Sequence, residues 1–199
     1  MESVLVWNAV AGIIAVAVFY VVSRSLKNPR PVLSRVLKPG NLLPDFEALD
    51  ENGKPVHSRE LLGAPAVILF VRGNWCPFCS RQVEELTAHY REIVALGAKL
   101  IFVAPKPLQT TRRVAEFFEV EFDFWLDESL SVARQLGLVQ TGAVPEEHRG
   151  EYGEDSVWPT ALVVDSNGTI RNAQLSRFIA DRPQPAQLLQ ALRQISGSD

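Results

Sequence analysis

Residues 66–79 read Ala-Val-Ile-Leu-Phe-Val-Arg-Gly-Asn-Trp-Cys-Pro-Phe-Cys, and this stretch decides the fold. Its first six residues, Ala66 to Val71, are continuously apolar, which is typical of a central strand that is buried on both faces. After the second cysteine, apolar residues recur at helical spacing until a glycine at position 97. They predict a single long helix with this apolar face: Val83, Leu86, Tyr90, Ile93 and Val94. A buried strand, a short turn with two cysteines and a helix are therefore expected in that order.

The two cysteines, Cys76 and Cys79, are the chain's only ones. A cysteine at a helix start lies beside unpaired backbone N–H groups and the positive end of the helix dipole, and both favour the thiolate. Pro77 fits the first helical turn, where its missing N–H costs nothing. We predict that Cys76 is the exposed nucleophile, and that Cys79 is partly buried and resolves the mixed disulfide that Cys76 forms.

Two other interpretations of the cysteine pair remain open. Zinc needs four ligands, but the chain has no further cysteine, and His57, His89 and His148 are scattered along it. The second alternative is a pair of inert core cysteines. The strand and helix on either side of the pair favour redox chemistry, and no metal or cofactor site is predicted.

The rest of the chain alternates strands and helices, which implies a parallel core sheet. An N-terminal β-hairpin is expected around Asn52-Gly53, and a closing hairpin around Ser166-Asn-Gly168 adds antiparallel strands. The fold class is therefore α/β with a mixed central sheet. The other predicted strands are 99–104, 122–126, 161–164 and 169–175, and the other predicted helices are 111–118, 129–136 and 184–195.

The N-terminal segment predicts a membrane anchor. Val4 to Val22 contains one strongly polar residue, Asn8, and at about 1.5 Å per residue it is long enough for a hydrocarbon core of about 30 Å. The expected organisation is an anchor at 1–23 that contacts the membrane through residues 4–22, a basic, proline-containing tether at 24–39 and one domain at 40–197. Basic residues follow the span and none precedes it, which favours a cytoplasmic domain. The net charge of −3 gives no indication of nucleic-acid binding.

Several motifs across the domain also carry a resemblance to a known family. They are Gly40-Asn-Leu-Leu-Pro-Asp-Phe46, Asp50-Glu-Asn-Gly53, Arg72-Gly-Asn-Trp-Cys-Pro-Phe-Cys79, Val157-Trp-Pro-Thr160 and Val164-Asp-Ser-Asn-Gly168. Together they resemble the thioredoxin superfamily, specifically its peroxiredoxin-like branch, the alkyl hydroperoxide reductase/thiol-specific antioxidant family. The resemblance implies a thioredoxin-like fold, and its tethered members favour a periplasmic domain, against the charge argument.

The resemblance also assigns residues around the motif. It implies that Pro159 follows a cis peptide bond and packs against the cysteine pair, with Trp158 and Thr160 in contact with substrate. Trp75 and Pro77 support the cysteines, and the dipeptide Pro77-Phe78 is similar to the Pro-Tyr of glutaredoxins, which makes Phe78 a further candidate for substrate contact.

Some positions depart from the family pattern. Phe70 stands where thioredoxin has a buried acid, so the proton acceptor for Cys79 is unidentified, and Glu84, Glu85 and Asp127 are candidates by residue type alone. The Pro and Thr of the peroxiredoxin signature are replaced by Leu69 and Gly73, and its peroxide-assisting Arg by Pro159. Arg72, four residues before Cys76, is either a cation that lowers the thiol pKa or the exposed end of a strand.

Two enzymatic functions fit these observations, and a third, non-enzymatic one is delivery of Cu(I). The first is a membrane-anchored thiol–disulfide oxidoreductase that acts on oxidised protein or small-molecule disulfides with an unidentified thiol reductant. The alternative is a thiol peroxidase that reduces hydroperoxides through Cys76. The polar loop at 140–157 leads into Trp158, and we expect it to shape the substrate entrance.

Overall fold

The computed structural model describes residues 12, 15, 16, 19, 31–106, 123–178 and 180–196. The predicted helix at 111–118 and nearly all of the predicted span at 4–22 lie outside the described residues. Among the residues that are described, no helix combines the length and the apolar character needed to cross a bilayer. The chain divides into two compact units, residues 1–31 and 32–199, and the fold described below is that of the second.

The second unit is built on a seven-stranded mixed sheet with the strand order β2-β1-β5-β4-β3-β8-β9. The strands are β1 Glu47–Leu49, β2 Pro55–His57, β3 Ala66–Phe70, β4 Lys99–Ala104, β5 Asp123–Leu126, β6 Val139–Gln140, β7 Ser156–Val157, β8 Thr160–Val164 and β9 Ile170–Leu175. The helices are α1 Pro77–Ala88, α2 Tyr90–Ala95, α3 Ser131–Gln135, α4 Arg149–Tyr152 and α5 Pro185–Ser196. β3, β4 and β5 run parallel, while β8 is antiparallel to β3 and to β9. The predicted mixed sheet is confirmed.

The core lies on both faces of β3, as its unbroken apolar sequence predicts. Val67 and Leu69 face one cluster, which the helices α1, α2 and α5 cover. Ile68 and Phe70 face the other cluster, which α3 and Leu37 cover. Every residue of β3 is buried, so the strand fixes the position of the chain that leaves its carboxyl end.

Both predicted hairpins are confirmed. β1 pairs antiparallel with β2 across Asn52-Gly53, and β8 pairs antiparallel with β9 across Ser166-Asn-Gly168. Position 53 has a φ of +77° and position 168 a φ of +79°, conformations that favour the glycines found there.

Two local predictions differ from the structure. The expected single helix is broken at His89 into α1 and α2, and this change of direction leaves Val94 46% exposed while Ile93 is fully buried. The expected tether at 24–39 is also shorter at its C-terminal end, because Arg35–Leu37 form a turn of 3-10 helix that buries Leu37 in the core.

Candidate active site

The two cysteines lie at the amino end of α1, directly after the central strand. Cys76 is the N-cap residue of the helix and Pro77 occupies its first position. The backbone N–H groups of Cys79 and Ser80 donate to the carbonyl of Cys76 at 3.0 and 3.2 Å, which closes the first turn. Both cysteines are free thiols. This placement matches the expected sequence of strand, motif and helix.

The burial of the cysteines differs from the prediction. Cys76 was expected to be exposed, yet it is 0% exposed and Cys79 is 1% exposed. Both belong to the apolar cluster beneath α1 and α5. The prediction was wrong because it considered only the helix that carries the motif, whereas side chains distant in sequence also pack on it.

Arg182 is one of these distant residues. Its Nη2 lies 3.3 Å from the Sγ of Cys79 and 3.7 Å from the Sγ of Cys76. Its Nη1 donates to the carbonyl of Asp181 at 2.7 Å and to the Oγ of Ser176 at 3.3 Å. These bonds hold the guanidinium against both sulfurs. Sequence reasoning missed this residue, since it lies more than 100 positions from the motif and no local pattern marks it.

The two thiols ionise in a fixed order. The hydrogen bond from the Cys79 thiol lowers the pKa of Cys76 to about 6, against the opposing effect of burial. The backbone N–H of Cys79 and the charges of Arg182 and Arg72 make smaller contributions to this lowered value. The same Cys79–Cys76 hydrogen bond, together with burial, raises the pKa of Cys79. Cys76 is therefore the thiol that loses its proton first.

Arg72 supplies a second cation to the site. It is only 3% exposed, and its guanidinium carbon lies 4.5 Å from the centre of the Trp75 ring. Its Nη2 donates to the carbonyl of Ala143 at 3.1 Å, and burial lowers its pKa. Its backbone N–H points to the Sγ of Cys79 at 3.4 Å. Arg72 is therefore not the exposed end of a strand, and its charge favours the thiolate of Cys76.

The predicted polar loop folds over the motif. We call residues 141–155 the cover segment. His148 stacks on Trp75 with ring centres 6.3 Å apart, and the hydroxyl of Tyr152 accepts a hydrogen bond from the backbone N–H of Asn74 at 3.4 Å. The segment also closes on itself, because the N–H of Val144 donates to the carbonyl of Glu154 at 3.1 Å. The segment therefore lies against Asn74 and Trp75, the two residues that directly precede Cys76.

The residues around Pro159 depart from the resemblance. The described residues contain no cis peptide bond, so the expected cis bond before Pro159 is not found. Backbone hydrogen bonds connect this stretch to two other segments: the N–H of Trp158 donates to the carbonyl of Leu138, and the N–H of Ser176 donates to the carbonyl of Pro159. Thr160 is 3% exposed within β8, opposite Phe70. Trp158 is half-buried, and Phe78, between the two cysteines, is 37% exposed.

The three candidate proton acceptors lie in other environments. Asp127 is buried and accepts hydrogen bonds from the N–H groups of Val132 and Ala133, so it caps α3. Glu85 pairs with Arg81 at 2.7 Å on the surface of α1, and Glu84 is exposed. Among the described residues, no carboxylate is hydrogen-bonded to either sulfur.

Four buried polar atoms around the motif lack a protein partner within the described part of the chain. They are Arg72 Nε, Asn74 Oδ1, Trp75 Nε1 and Arg182 Nε. Buried polar groups are normally hydrogen-bonded, so a cluster of unpartnered ones beside two reactive sulfurs calls for an explanation. Three of the four are N–H donors, which suit a small ligand with oxygen acceptors.

The fold and the paired thiols define a peroxiredoxin-like oxidoreductase. The model of the AhpC/TSA family matches residues 39–173, and the chain belongs to this family. It is similar to "Peroxiredoxin Q, chloroplastic" from Sedum lineare, with 23% identity over 81% of this chain and 82% of that protein. The resemblance inferred from the motifs is thereby confirmed at the level of the family.

Solved structures confirm the thioredoxin-like fold. Peroxidoxin BcpB from Mycobacterium tuberculosis superimposes with a TM-score of 0.63 at 23% identity, covering 80% of this chain and 98% of that one. The bacterioferritin comigratory protein of Xanthomonas campestris, studied for its alkyl peroxide reduction activity, has a TM-score of 0.59 at 16% identity and covers 76% and 92% of the two chains.

These findings correct the predicted location. A single-pass membrane protein was expected from the apolar run at 4–22, and this prediction is wrong. No helix in the described ranges is long and apolar enough to cross a membrane, and the matched relative from Sedum lineare is a peroxiredoxin whose name places it in the chloroplast. The error came from reading an apolar run by its length and composition alone.

Proposed function

We propose that this protein is a thiol peroxidase in which Cys76 reduces a hydroperoxide and Cys79 then closes a disulfide with it. The observation that carries the proposal is the state of Cys76, a sulfur with a pKa of about 6 beside a guanidinium at 3.7 Å. At neutral pH this sulfur is a thiolate, and the thiolate is the nucleophile in both peroxide and disulfide chemistry.

In the first step, the Cys76 thiolate attacks the terminal oxygen of the hydroperoxide. The O–O bond breaks, Cys76 becomes a sulfenic acid, and the alkoxide takes up a proton and leaves as an alcohol. The N–H groups of Arg72 and Trp75 that have no partner among the described residues are candidates to hold the peroxide oxygens, because they belong to the motif and are donors only.

In the second step, the sulfur of Cys79 attacks the sulfur of Cys76. The S–S bond forms, the S–O bond breaks, and the departing hydroxide leaves as water with the proton that Cys79 gave up. A thiol reductant then restores both thiols.

The burial of both sulfurs favours peroxide over a protein disulfide as oxidant. A protein disulfide has to bring its own chain to within bonding distance of Cys76, whereas a hydroperoxide presents two small oxygen atoms. Because Cys76 is fully buried beside Arg182, the smaller oxidant requires less opening of the site. The peroxiredoxin relatives support the same choice, and an alkyl hydroperoxide is the proposed substrate class because the Xanthomonas campestris protein is described by its alkyl peroxide reduction activity.

Stopped-flow fluorescence of the reduced protein mixed with hydrogen peroxide or an alkyl hydroperoxide tests the proposal. Trp75 adjoins the motif and reports oxidation of Cys76. We expect a second-order rate orders of magnitude above that of a free cysteine, and one disulfide per chain as the product. Cys76→Ser should abolish the reaction, while Cys79→Ser should stop it at the sulfenic acid.

A peroxide rate no faster than that of a free cysteine contradicts the proposal. Reduction of insulin disulfides, measured on the same preparation, then decides whether the dithiol serves disulfide exchange instead.

A further inference from the structure

The sulfur of Cys79 lies in a site built for negative charge. It accepts hydrogen bonds from the backbone N–H of Arg72 at 3.4 Å and from the Nη2 of Arg182 at 3.3 Å. The Arg182 nitrogen is closer to this sulfur than to Cys76, which lies 3.7 Å away. Two donors therefore converge on the thiol that is protonated in the reduced protein.

This arrangement meets a chemical need of the disulfide-closing step. Cys79 attacks only after losing its proton, and its environment is almost completely buried, which disfavours the thiolate. The neighbouring strand offers Phe70 instead of a buried acid, and no described carboxylate is hydrogen-bonded to the sulfur. The site therefore supplies a cation, Arg182, that stabilises the thiolate of Cys79, whereas the described residues supply no carboxylate base at this sulfur.

In the reduced protein the thiolate of Cys76 keeps Cys79 protonated, and this effect ends once Cys76 is oxidised. The hydrogen bond that Cys79 donates to Cys76, and the negative charge on Cys76, both raise the pKa of Cys79. Conversion of the Cys76 thiolate to a neutral sulfenic acid removes this charge. The guanidinium of Arg182 and the N–H of Arg72 remain, and both favour ionisation of Cys79.

Arg182 is held so that it keeps this position. Ser176 and the carbonyl of Asp181 accept from its Nη1, and the carboxylate of Asp181 in turn accepts from the backbone N–H of Arg177 at 2.9 Å. The N–H of Ser176 donates to the carbonyl of Pro159 at 2.9 Å, which ties this segment to the start of β8.

We propose that Arg182 is a positioning residue for disulfide closure, whose guanidinium stabilises the thiolate of Cys79 after Cys76 has been oxidised. This proposal rests on the proposed peroxidase function, but only for the identity of the oxidant. The role of Arg182 is the same whichever oxidant modifies Cys76. In the balanced step, Cys79 thiol and Cys76 sulfenic acid give one disulfide and one water, and Arg182 keeps its proton throughout.

The test separates the two steps in the full-length protein. Reduced protein is mixed with hydrogen peroxide and quenched with dimedone, which traps sulfenic acid, and the disulfide is quantified by mass spectrometry. We expect Arg182→Gln to slow closure by about tenfold or more at neutral pH, since loss of a neighbouring cation raises a thiol pKa by about one unit or more. The pH at which closure is half-maximal should move upward. Arg182→Lys should restore part of the rate, because it keeps the charge without the planar fork.

Arg81→Gln is the matched control. Arg81 lies on α1 two residues after Cys79, but its side chain is 77% exposed and pairs with Glu85, so removal of its charge should leave both steps unchanged. Closure at the wild-type rate and with the wild-type pH profile in Arg182→Gln overturns the proposal. A loss confined to the peroxide step overturns it as well.

A peroxide-free measurement distinguishes this failure from failure of the proposed function. A small aromatic disulfide places a mixed disulfide on Cys76, and Cys79 then releases the second aromatic thiol, which absorbs visible light. Slower release in Arg182→Gln supports the role of Arg182 even where peroxide reacts no faster than with free cysteine. Unchanged release beside fast peroxide reduction leaves the peroxidase function standing and removes the role of Arg182.

Discussion

The ring of Tyr152 lies directly over the backbone of Gly73. A Cβ atom built at position 73 would be 2.5 Å from the Cε1 of Tyr152, and the φ of this residue is +119°. Glycine is therefore required twice, once by the backbone conformation and once by the ring above it. Since Gly73 precedes Cys76 by three residues, the cover segment contacts the turn that carries Cys76.

Gly73→Ala should destabilise the fold and lift the cover segment. The added methyl group meets the Tyr152 ring, and a positive φ is unfavourable for alanine, so we expect a loss of about 1–3 kcal/mol in the free energy of unfolding. Urea unfolding followed by tryptophan fluorescence measures this loss.

Gly63→Ala is the control for the backbone contribution. Gly63 has a φ of +90°, and a Cβ there would have no atom within 4 Å. A smaller loss in this variant isolates the contact with Tyr152, whereas equal losses would mean that the ring moves aside without cost.

The reaction of Cys76 with peroxide should depend on pH with a midpoint near 6. The thiolate is the reactive form, so the rate should fall as the pH drops below this value and stay flat above it. A cysteine at its ordinary value of 9.0 would still be gaining reactivity well above neutral pH. Initial rates of peroxide consumption by reduced protein over about pH 5–8 give the midpoint.

Cys79→Ala should raise that midpoint, because the hydrogen bond from the Cys79 thiol contributes most to the lowered pKa of Cys76. Cys79→Ser keeps a hydroxyl donor and should raise it less. A midpoint that is identical in both variants and the wild type would assign the lowered pKa to the arginines instead.

The sequence predicted what lies close together along the chain. β3, the cysteine turn and the start of α1 are contiguous, and their apolar periodicity states which faces are buried. The two hairpins follow from Asn-Gly dipeptides, whose backbone preference is local. The fold and the position of the two cysteines at the start of a helix were predictable for this reason.

The environment of the sulfurs was not predictable, because it comes from distant segments. Arg182 contacts Cys79 across 103 positions of the sequence, and His148 stacks on Trp75 although the two residues are also far apart along the chain. The periodicity of apolar residues along a sequence gives no information about contacts between such distant segments. The expected exposure of Cys76 and the expected cis bond before Pro159 failed in this part of the site, where a general pattern was applied to a specific arrangement.

Asp127 should be structural, although its type made it a candidate proton acceptor. Its carboxylate accepts from the N–H groups of Val132 and Ala133 at 3.1 and 2.8 Å and from the hydroxyl of Ser131 at 3.1 Å. Asp127→Ala leaves these donors unpaired, and we expect a loss of about 1–3 kcal/mol in the free energy of unfolding. The peroxide rate of the folded fraction should not change.

Ser131→Ala removes only the hydroxyl contact and serves as the control, with an expected loss below that of Asp127→Ala. Chemical denaturation of both variants gives the two free energies. A slower peroxide reaction in folded Asp127→Ala would instead connect this carboxylate to the chemistry.

Tyr152 should restrict access to Cys76 according to the size of the reagent. Its ring covers Gly73, while its hydroxyl accepts from the N–H of Asn74 at 3.4 Å, so Tyr152→Ala removes the cover and Tyr152→Phe removes only the hydrogen bond. In Tyr152→Ala we expect a bulky aromatic disulfide to react with Cys76 about tenfold faster, because a barrier lowered by about 1.4 kcal/mol gives that change. Hydrogen peroxide, which is small, should gain much less, and Tyr152→Phe should leave the two rates in their wild-type ratio. Second-order rates with both reagents, measured on the same reduced preparations, provide the comparison. Equal acceleration of the two reagents in Tyr152→Ala would mean that the cover segment alters the reactivity of the thiolate itself and does not act as a size filter.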